Sequence, residues 1–140
     1  MNQNKNRKII YVITFLFSIS TALTYFINSS FLEFYIDKYY VGIIFAISSI
    51  FSILGLLTMP KILNALGNYK TIIFASVGTF LSLLMLAFWN NVFIAIFSFV
   101  LYIVMLNIIV ASLDIFVEDF SKNKEVGKMR GFYLMITNLA

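Results

Sequence analysis

The chain has 140 residues, of which 61% are hydrophobic and 11% are charged, with a net charge of +4. A soluble domain of this size carries about 25% charged residues, so the composition excludes an ordinary soluble domain and predicts a membrane protein. The basic residues are divided among short connectors, which argues against a nucleic-acid partner. Cysteine and histidine are absent from the sequence, and we therefore predict no metal site and no cofactor.

Four apolar stretches are long enough to span a bilayer, which takes about 20 residues at 1.5 Å per residue. They are predicted at residues 9–27, 41–59, 71–89 and 92–117. One proline, six glycines and long unbroken apolar runs indicate helices rather than a β-barrel. The predicted fold class is an all-α, polytopic membrane helical bundle.

A fifth apolar stretch, residues 131–140, is too short to cross a membrane. We therefore expect this chain to be the N-terminal fragment of a longer protein. The predicted domain organisation is a cytoplasmic segment at residues 1–8, followed by a partial transmembrane bundle at residues 9–140 with the start of a fifth helix.

The distribution of basic residues predicts the orientation of the spans. Nine of the ten basic residues lie in alternate connectors, and only Lys38 lies in the others; the nine are Lys5, Arg7, Lys8, Lys61, Lys70, Lys122, Lys124, Lys128 and Arg130. Because basic residues are retained on the cytoplasmic side, the N-terminus, the connector after the second span and the connector after the fourth span are predicted there. Four aromatic residues are predicted to lie at the opposite membrane interface, namely Tyr25, Tyr39, Tyr40 and Trp89. Membrane lipid is thus the first predicted partner.

Polar residues follow one face of the first predicted span. Thr14, Ser18, Thr21, Tyr25 and Asn28 are separated by four, three, four and three residues, which is the helical repeat. A single Ser or Thr tolerates lipid well by bonding to the carbonyl one turn earlier. Five in register favour a face directed toward protein or water.

Small residues four positions apart in the second and third spans predict close helix packing. The pairs are Gly42 with Ala46, Ser48 with Ser52, and Gly78 with Ser82.

The fourth span carries Asn107, Ala111, Asp114 and Glu118 at the helical repeat. An ionised carboxylate at the bilayer centre costs about 3 kcal/mol, so such residues usually face a cavity or a partner. Asp114 lies about 6 Å deeper than Glu118, where water still reaches it. Two interpretations remain open for Asp114, a helix-end carboxylate paired with a nearby lysine and a member of an ion pair at a cytoplasmic gate.

The layout of the spans, the second span "VGIIFAISSIFSILGLLTMP", the basic connector and the tail "LDIFVEDFSKNKEVGKMRGFYLMITNLA" resemble the N-terminal part of a major facilitator superfamily transporter. The connector between the second and third helices of that family reads Gly, three residues, Asp, Arg or Lys, any residue, Gly, then basic residues. Gly67 matches this pattern, and Lys70 supplies its later positive charge at a displaced position. Pro60, Asn64 and Ala65 replace its Gly, Asp and first basic residue.

The resemblance implies a secondary active transporter that moves a small solute by alternating access, without enzymatic activity. It implies that the first and fourth helices line the cavity, with Thr14, Ser18, Thr21 and Asn107 as candidates. It also implies gating or hinge roles for Asn64, Gly67, Lys70, Asp114 and Glu118. The remaining helices of the full-length transporter are the implied protein partner, and the substrate is unspecified.

From the residues themselves, Pro60 is predicted to end the second helix and Gly67 to provide the tight reversal of an ordinary turn. Two other functions stay open, a small four-helix oligomeric exporter and a non-transporting assembly or scaffold subunit. The exporter usually has a carboxylate in the middle of its first helix, where this sequence has none. An intramembrane protease is disfavoured, because it needs Ser with His, metal ligands or two membrane Asp residues.

Overall fold

The computed structural model describes residues 3–88 and 90–119 and the single positions Gly127, Gly131 and Met135. The described chain forms four helices, α1 (Gln3–Tyr35), α2 (Lys38–Leu66), α3 (Asn68–Phe88) and α4 (Val92–Asp119). The predicted all-α fold is confirmed. Trp89, the basic residues of the last connector and, apart from two single positions, the predicted fifth segment at 131–140 lie outside the described residues.

By length and composition, α2, α3 and α4 are each long and apolar enough to cross a membrane. The two parts of α1, Val12–Tyr25 and Ile27–Tyr35, meet that standard only when taken together as one bent span. The described residues therefore contain three membrane-spanning helices, or four if α1 is counted as bent.

Helix α1 continues eight residues beyond the predicted end at Ile27. The sequence has no glycine or proline before Gly42, so nothing breaks the helix where the apolar run ends. The next helix begins after Asp37, whose carboxylate accepts a hydrogen bond from the backbone N–H of Tyr39 at 3.1 Å. This N-cap satisfies one of the donors that a helix start leaves unpaired.

The predicted end of the second helix at Met59 and Pro60 is wrong. Helix α2 contains Pro60 and continues to Leu66. A proline removes one backbone donor and strains the preceding turn, but a long helix in a membrane protein tolerates this where neighbouring groups adjust. Thr58, two residues earlier, donates its hydroxyl proton to the Gly55 carbonyl at 2.7 Å.

Gly67 alone separates α2 from α3. Its φ of 77° and ψ of 159° lie in a backbone region that glycine occupies almost exclusively. The Gly67 N–H donates to Leu63 O at 2.8 Å, and the Gly67 carbonyl accepts from the Thr71 N–H at 3.1 Å. Gly67 therefore closes one helix and opens the next, as the sequence predicted.

The chain divides into two compact units, Asn28–Ser112 and Met1–Ile27 with Leu113–Ala140. Within Asn28–Ser112, two hydrogen bonds mark opposite ends of α3. Tyr35 donates its hydroxyl proton to Asn90 Oδ1 at 3.2 Å, beyond the C-terminus of α3. Asn68, at its N-terminus, donates to the Ser112 carbonyl at 2.9 Å. The connectors thus alternate between the two ends of this unit.

The core of this unit is formed by one face of α2, one face of α3 and much of α4. Phe99 is fully buried and meets the Phe45 ring edge-on at a centroid distance of 5.3 Å. Buried residues of α2 and α3 recur at helical spacing; they are Val41, Ile44, Ser48, Ser52 and Met59 in α2, and Thr71, Ala75, Ser82 and Leu86 in α3.

Small residues allow close packing at two of the three predicted places. A Cβ atom on Gly78 would lie 3.0 Å from Met105 Sδ, and Ser82 is fully buried. Ser48 and Ser52 are also buried. Gly42 and Ala46, by contrast, are exposed in the described part of the chain.

We expect Gly67→Ala to lower the free energy of unfolding of the complete protein by about 1–3 kcal/mol, because alanine is strained at this φ and ψ. Gly42→Ala is the matched control. Gly42 is exposed within α2, and no atom lies within 4 Å of the position of an added Cβ. The control is expected to be neutral or stabilising by up to about 1 kcal/mol. Denaturant titration in detergent micelles measures both, and equal effects would contradict the assigned role of Gly67.

Candidate functional site

A polar contact joins α2 and α4 at mid-length. Asn107 Nδ2 donates to Ser52 Oγ at 3.1 Å and to the backbone carbonyl of Ile103 at 2.9 Å. Ser52 lies about 21 Å from either end of α2, and Asn107 lies about 18 Å from the C-terminus of α4, at 1.5 Å per residue. Both residues are therefore as far from the helix ends as a bilayer-midplane site requires.

The contact to Ile103 fixes the orientation of the Asn107 amide. A serine hydroxyl can donate or accept, but a backbone carbonyl only accepts, so the group facing Ile103 O must be the NH₂ group. Both N–H bonds are then used, one by Ile103 and one by Ser52. Asn107 Oδ1 accepts no hydrogen bond from the described residues, and the side chain is half-buried.

The polar stripe of α1 becomes more exposed from Thr14 to Tyr25. Thr14 is 1% exposed and Ser18 is 8% exposed, Thr21 is half-buried, and Tyr25 is exposed. Apolar neighbours on the remaining surface of α1, such as Leu16 and Leu23, are exposed.

Hydroxyl groups of this stripe differ in their hydrogen bonding. Thr21 Oγ1 donates to the Ser18 carbonyl at 2.9 Å, which is the local bonding expected of a threonine in a helix. Thr14 Oγ1 is buried without a hydrogen-bond partner among the described residues.

The four predicted cavity residues are divided between the two compact units. Thr14, Ser18 and Thr21 belong to the unit that contains Met1–Ile27, and Asn107 belongs to Asn28–Ser112. Their assignment to one cavity stays a prediction.

The connector after α2 is linked to α4 by Asn68, a residue that the sequence analysis did not select. Its Nδ2 donates to Ser112 O, while Asn68 Oδ1 and Ser112 Oγ are buried without partners among the described residues. The sequence signal that could have identified Asn68 is its place directly after Gly67, within the connector motif of the family. Ser52 was also missed as a polar partner, although its spacing from Ser48 was used to predict packing.

The other predicted hinge and gate residues lie at the surface or near a helix end. Asn64 and Lys70 are exposed, Asp114 is half-buried, and Glu118 is exposed. Lys70 and Asp114 belong to different compact units, and the gating or hinge roles of these residues stay a prediction.

An open groove of about 430 Å³ between α2 and α4 is lined only by apolar side chains, including Phe51, Phe93, Phe97 and Val104. A polar solute needs polar partners to replace its lost water. This groove is therefore unsuited to such a solute, unlike the polar contact at Asn107. Among the described residues, no group of three or more acidic, histidine or cysteine side chains is placed to hold a metal ion.

A sequence model of the Major Facilitator Superfamily matches residues 10–140. The chain belongs to this family. Family members are membrane transporters rather than enzymes, and the chain is accordingly a multi-pass integral membrane protein. Comparison with curated proteins and with solved structures gives no significant match.

The hydrogen bond from Asn68 to α4 predicts a stability difference between Asn68 and Asn64, the two asparagines on either side of Gly67. Asn68→Ala is expected to reduce the free energy of unfolding by about 1 kcal/mol through loss of the bond to Ser112 O. Asn64→Ala, at an exposed position, is expected to change it by less than about 0.5 kcal/mol. Because the donor is neutral, the difference should persist at high salt. Equal effects, or a difference abolished by salt, would argue against this contact.

A double-mutant cycle tests the contact between Asn107 and Ser52. Asn107→Leu, Ser52→Ala and the double variant are expected to show a coupling energy of about 0.6–1.7 kcal/mol, which is the range for hydrogen bonds between membrane helices. The cycle of Asn107→Leu with Ser49→Ala is the control, since Ser49 is exposed and donates to Phe45 O within its own helix. A coupling energy near zero in the Ser52 cycle would contradict the observed geometry.

Proposed function

We propose that the chain is the N-terminal part of a secondary active transporter that moves a small polar solute by alternating access. Membership in the major facilitator superfamily is the observation that carries this proposal. Transporters of this kind contain repeated helical units that rock around a substrate site near the bilayer midplane.

The proposed substrate cavity is lined by Thr14, Ser18 and Thr21 of α1 and Asn107 of α4. Two features support this choice. The polar residues of α1 share one helical face whose first two members are buried, and Asn107 lies near the middle of the longest apolar stretch with its carbonyl oxygen unpaired by described residues. The remaining helices of the complete transporter are proposed to close the cavity.

The proposed hinge consists of the connector around Gly67 together with the C-terminal end of α4. Gly67 sets the sharp reversal between α2 and α3, while Asn64 and Lys70 are exposed on either side of it. In the proposed mechanism these residues, with Asp114 and Glu118, form contacts on the cytoplasmic side that change when the cavity opens.

Cysteine accessibility tests the proposed cavity, and the sequence is naturally free of cysteine. In the complete protein, single cysteines at Ser18 and Thr21 are expected to react with a water-soluble, membrane-impermeant thiol reagent. Their reaction rates should change when substrate is added, because alternating access opens the site to one side at a time.

A cysteine at Leu16 provides the matched control, since Leu16 is on the same helix and is 61% exposed on its apolar side. That side is expected to face lipid, so this cysteine should stay unreactive. Reaction at Leu16 equal to that at Ser18 and Thr21, or no reaction at all three positions, would overturn the proposed cavity.

A further inference from the structure

The hydrogen bonds of Asn107 restrict what it can offer to a solute. An asparagine side chain has two N–H donors and a carbonyl oxygen with two lone pairs. Both donors are used within the protein, one by the Ile103 carbonyl and one by Ser52 Oγ. The group left over is Oδ1, which can only accept.

The Ile103 carbonyl keeps this orientation in place. Rotation of the amide by 180° would place Oδ1 against that carbonyl, where two acceptors repel each other. Ser52, whose side chain is 6% exposed, accepts from the second N–H, so that this donor is not available to a solute. The amide is therefore held as an acceptor.

The distribution of basic residues disfavours an anionic solute at Asn107. The described lysines outside α1, namely Lys38, Lys61 and Lys70, lie at or near helix ends. No basic residue lies between Thr71 and Asp119, so α3 after its first turn and the whole of α4 supply no counter-ion for an anion at mid-membrane depth.

The hydroxyl group of Thr21 independently favours a solute that donates hydrogen bonds. Its proton is donated to the Ser18 carbonyl, which leaves the oxygen lone pairs as the part available to another molecule. This observation concerns α1 alone and requires no assumption about its placement relative to Asn107.

We propose that Asn107 Oδ1 is an acceptor-only subsite, oriented by the Ile103 carbonyl, which selects solutes that present N–H or O–H donors and disfavours anions. This rests on the proposed transport function and specifies its substrate class as neutral or cationic hydrogen-bond donors, such as amines and alcohols. A site built to form a hydrogen bond rejects analogues that lack the matching group, because its own polar group is then left unpaired.

The test uses the complete protein in detergent and five probes with one carbon skeleton: benzylamine, benzyl alcohol, benzyl trimethylammonium, benzyl methyl ether and benzoate. Binding is measured from the ligand-dependent shift in melting temperature. Benzylamine and benzyl alcohol are expected to bind at least about tenfold more tightly than their methylated counterparts and than benzoate, as the loss of one well-formed hydrogen bond predicts.

A substitution at Asn107 removes the acceptor while keeping a side chain of similar size. Asn107→Leu is expected to abolish the preference for donor probes. Ser49→Ala should leave all five affinities unchanged, since Ser49 bonds within its own helix. The comparison of probes on the unmodified protein stands even if one variant does not fold.

Equal binding of methylated and donor probes, tighter binding of benzoate, failure of both donor probes to bind, or a donor preference that persists in Asn107→Leu would each overturn the acceptor-only subsite. Cysteine reactivity at Ser18 and Thr21 in the same preparation tests the proposed cavity separately from the Asn107 subsite. If the two cysteines react but the protein shows no preference for donor probes, only the subsite fails. If neither cysteine is reactive, the proposed cavity fails as well.

Discussion

The structure depends on the need to satisfy backbone hydrogen bonds inside a hydrocarbon layer. No water is available there, so each apolar segment must pair its own N–H and C=O groups, and only helices do so within one segment. The connectors are correspondingly short. Ile36 and Asp37 separate α1 from α2, and Gly67 alone separates α2 from α3. At Gly67 this brevity requires a backbone conformation that other residues avoid, because the chain must reverse while both helix ends keep their hydrogen bonds.

Small side chains and uncharged polar side chains then determine how the helices pack against each other. Hydrophobic burial supplies little association energy between helices in lipid, so small residues and neutral hydrogen bonds take its place. Gly78 allows α3 to lie close to Met105 of α4, Asn107 bonds to Ser52, and Asn68 bonds to Ser112 O. The donors of these hydrogen bonds are neutral amides. Asn64 and Ala65 stand at positions where the family motif has charged residues, and the contact to α4 near Gly67 is made by the amide of Asn68.

The sequence predicts those features that depend on local physics. The lengths of the apolar stretches predict where the helices lie, and Gly67 predicts the chain reversal between α2 and α3. The end of α2 was misplaced because Pro60 was read as a terminator, although packing and helix continuity outweigh the loss of one backbone donor. The end of α1 was placed too early because hydropathy reports where hydrocarbon ends, and a helix without glycine or proline continues past that point. Asn68 and Ser52 were missed as polar partners since each bond joins residues far apart in the chain, and one sequence contains no information about such pairing.

The most direct test of this account is the membrane topology of the two connectors on either side of α3. Single cysteines at Lys70 and Asn90, which lie near opposite ends of a 21-residue helix, are labelled with an impermeant thiol reagent in intact cells and in inside-out vesicles. The account predicts that Asn90 is labelled only from outside and that Lys70 is labelled only from the cytoplasmic face. Labelling of both positions from the same side would contradict it, because α3 would then not cross the membrane.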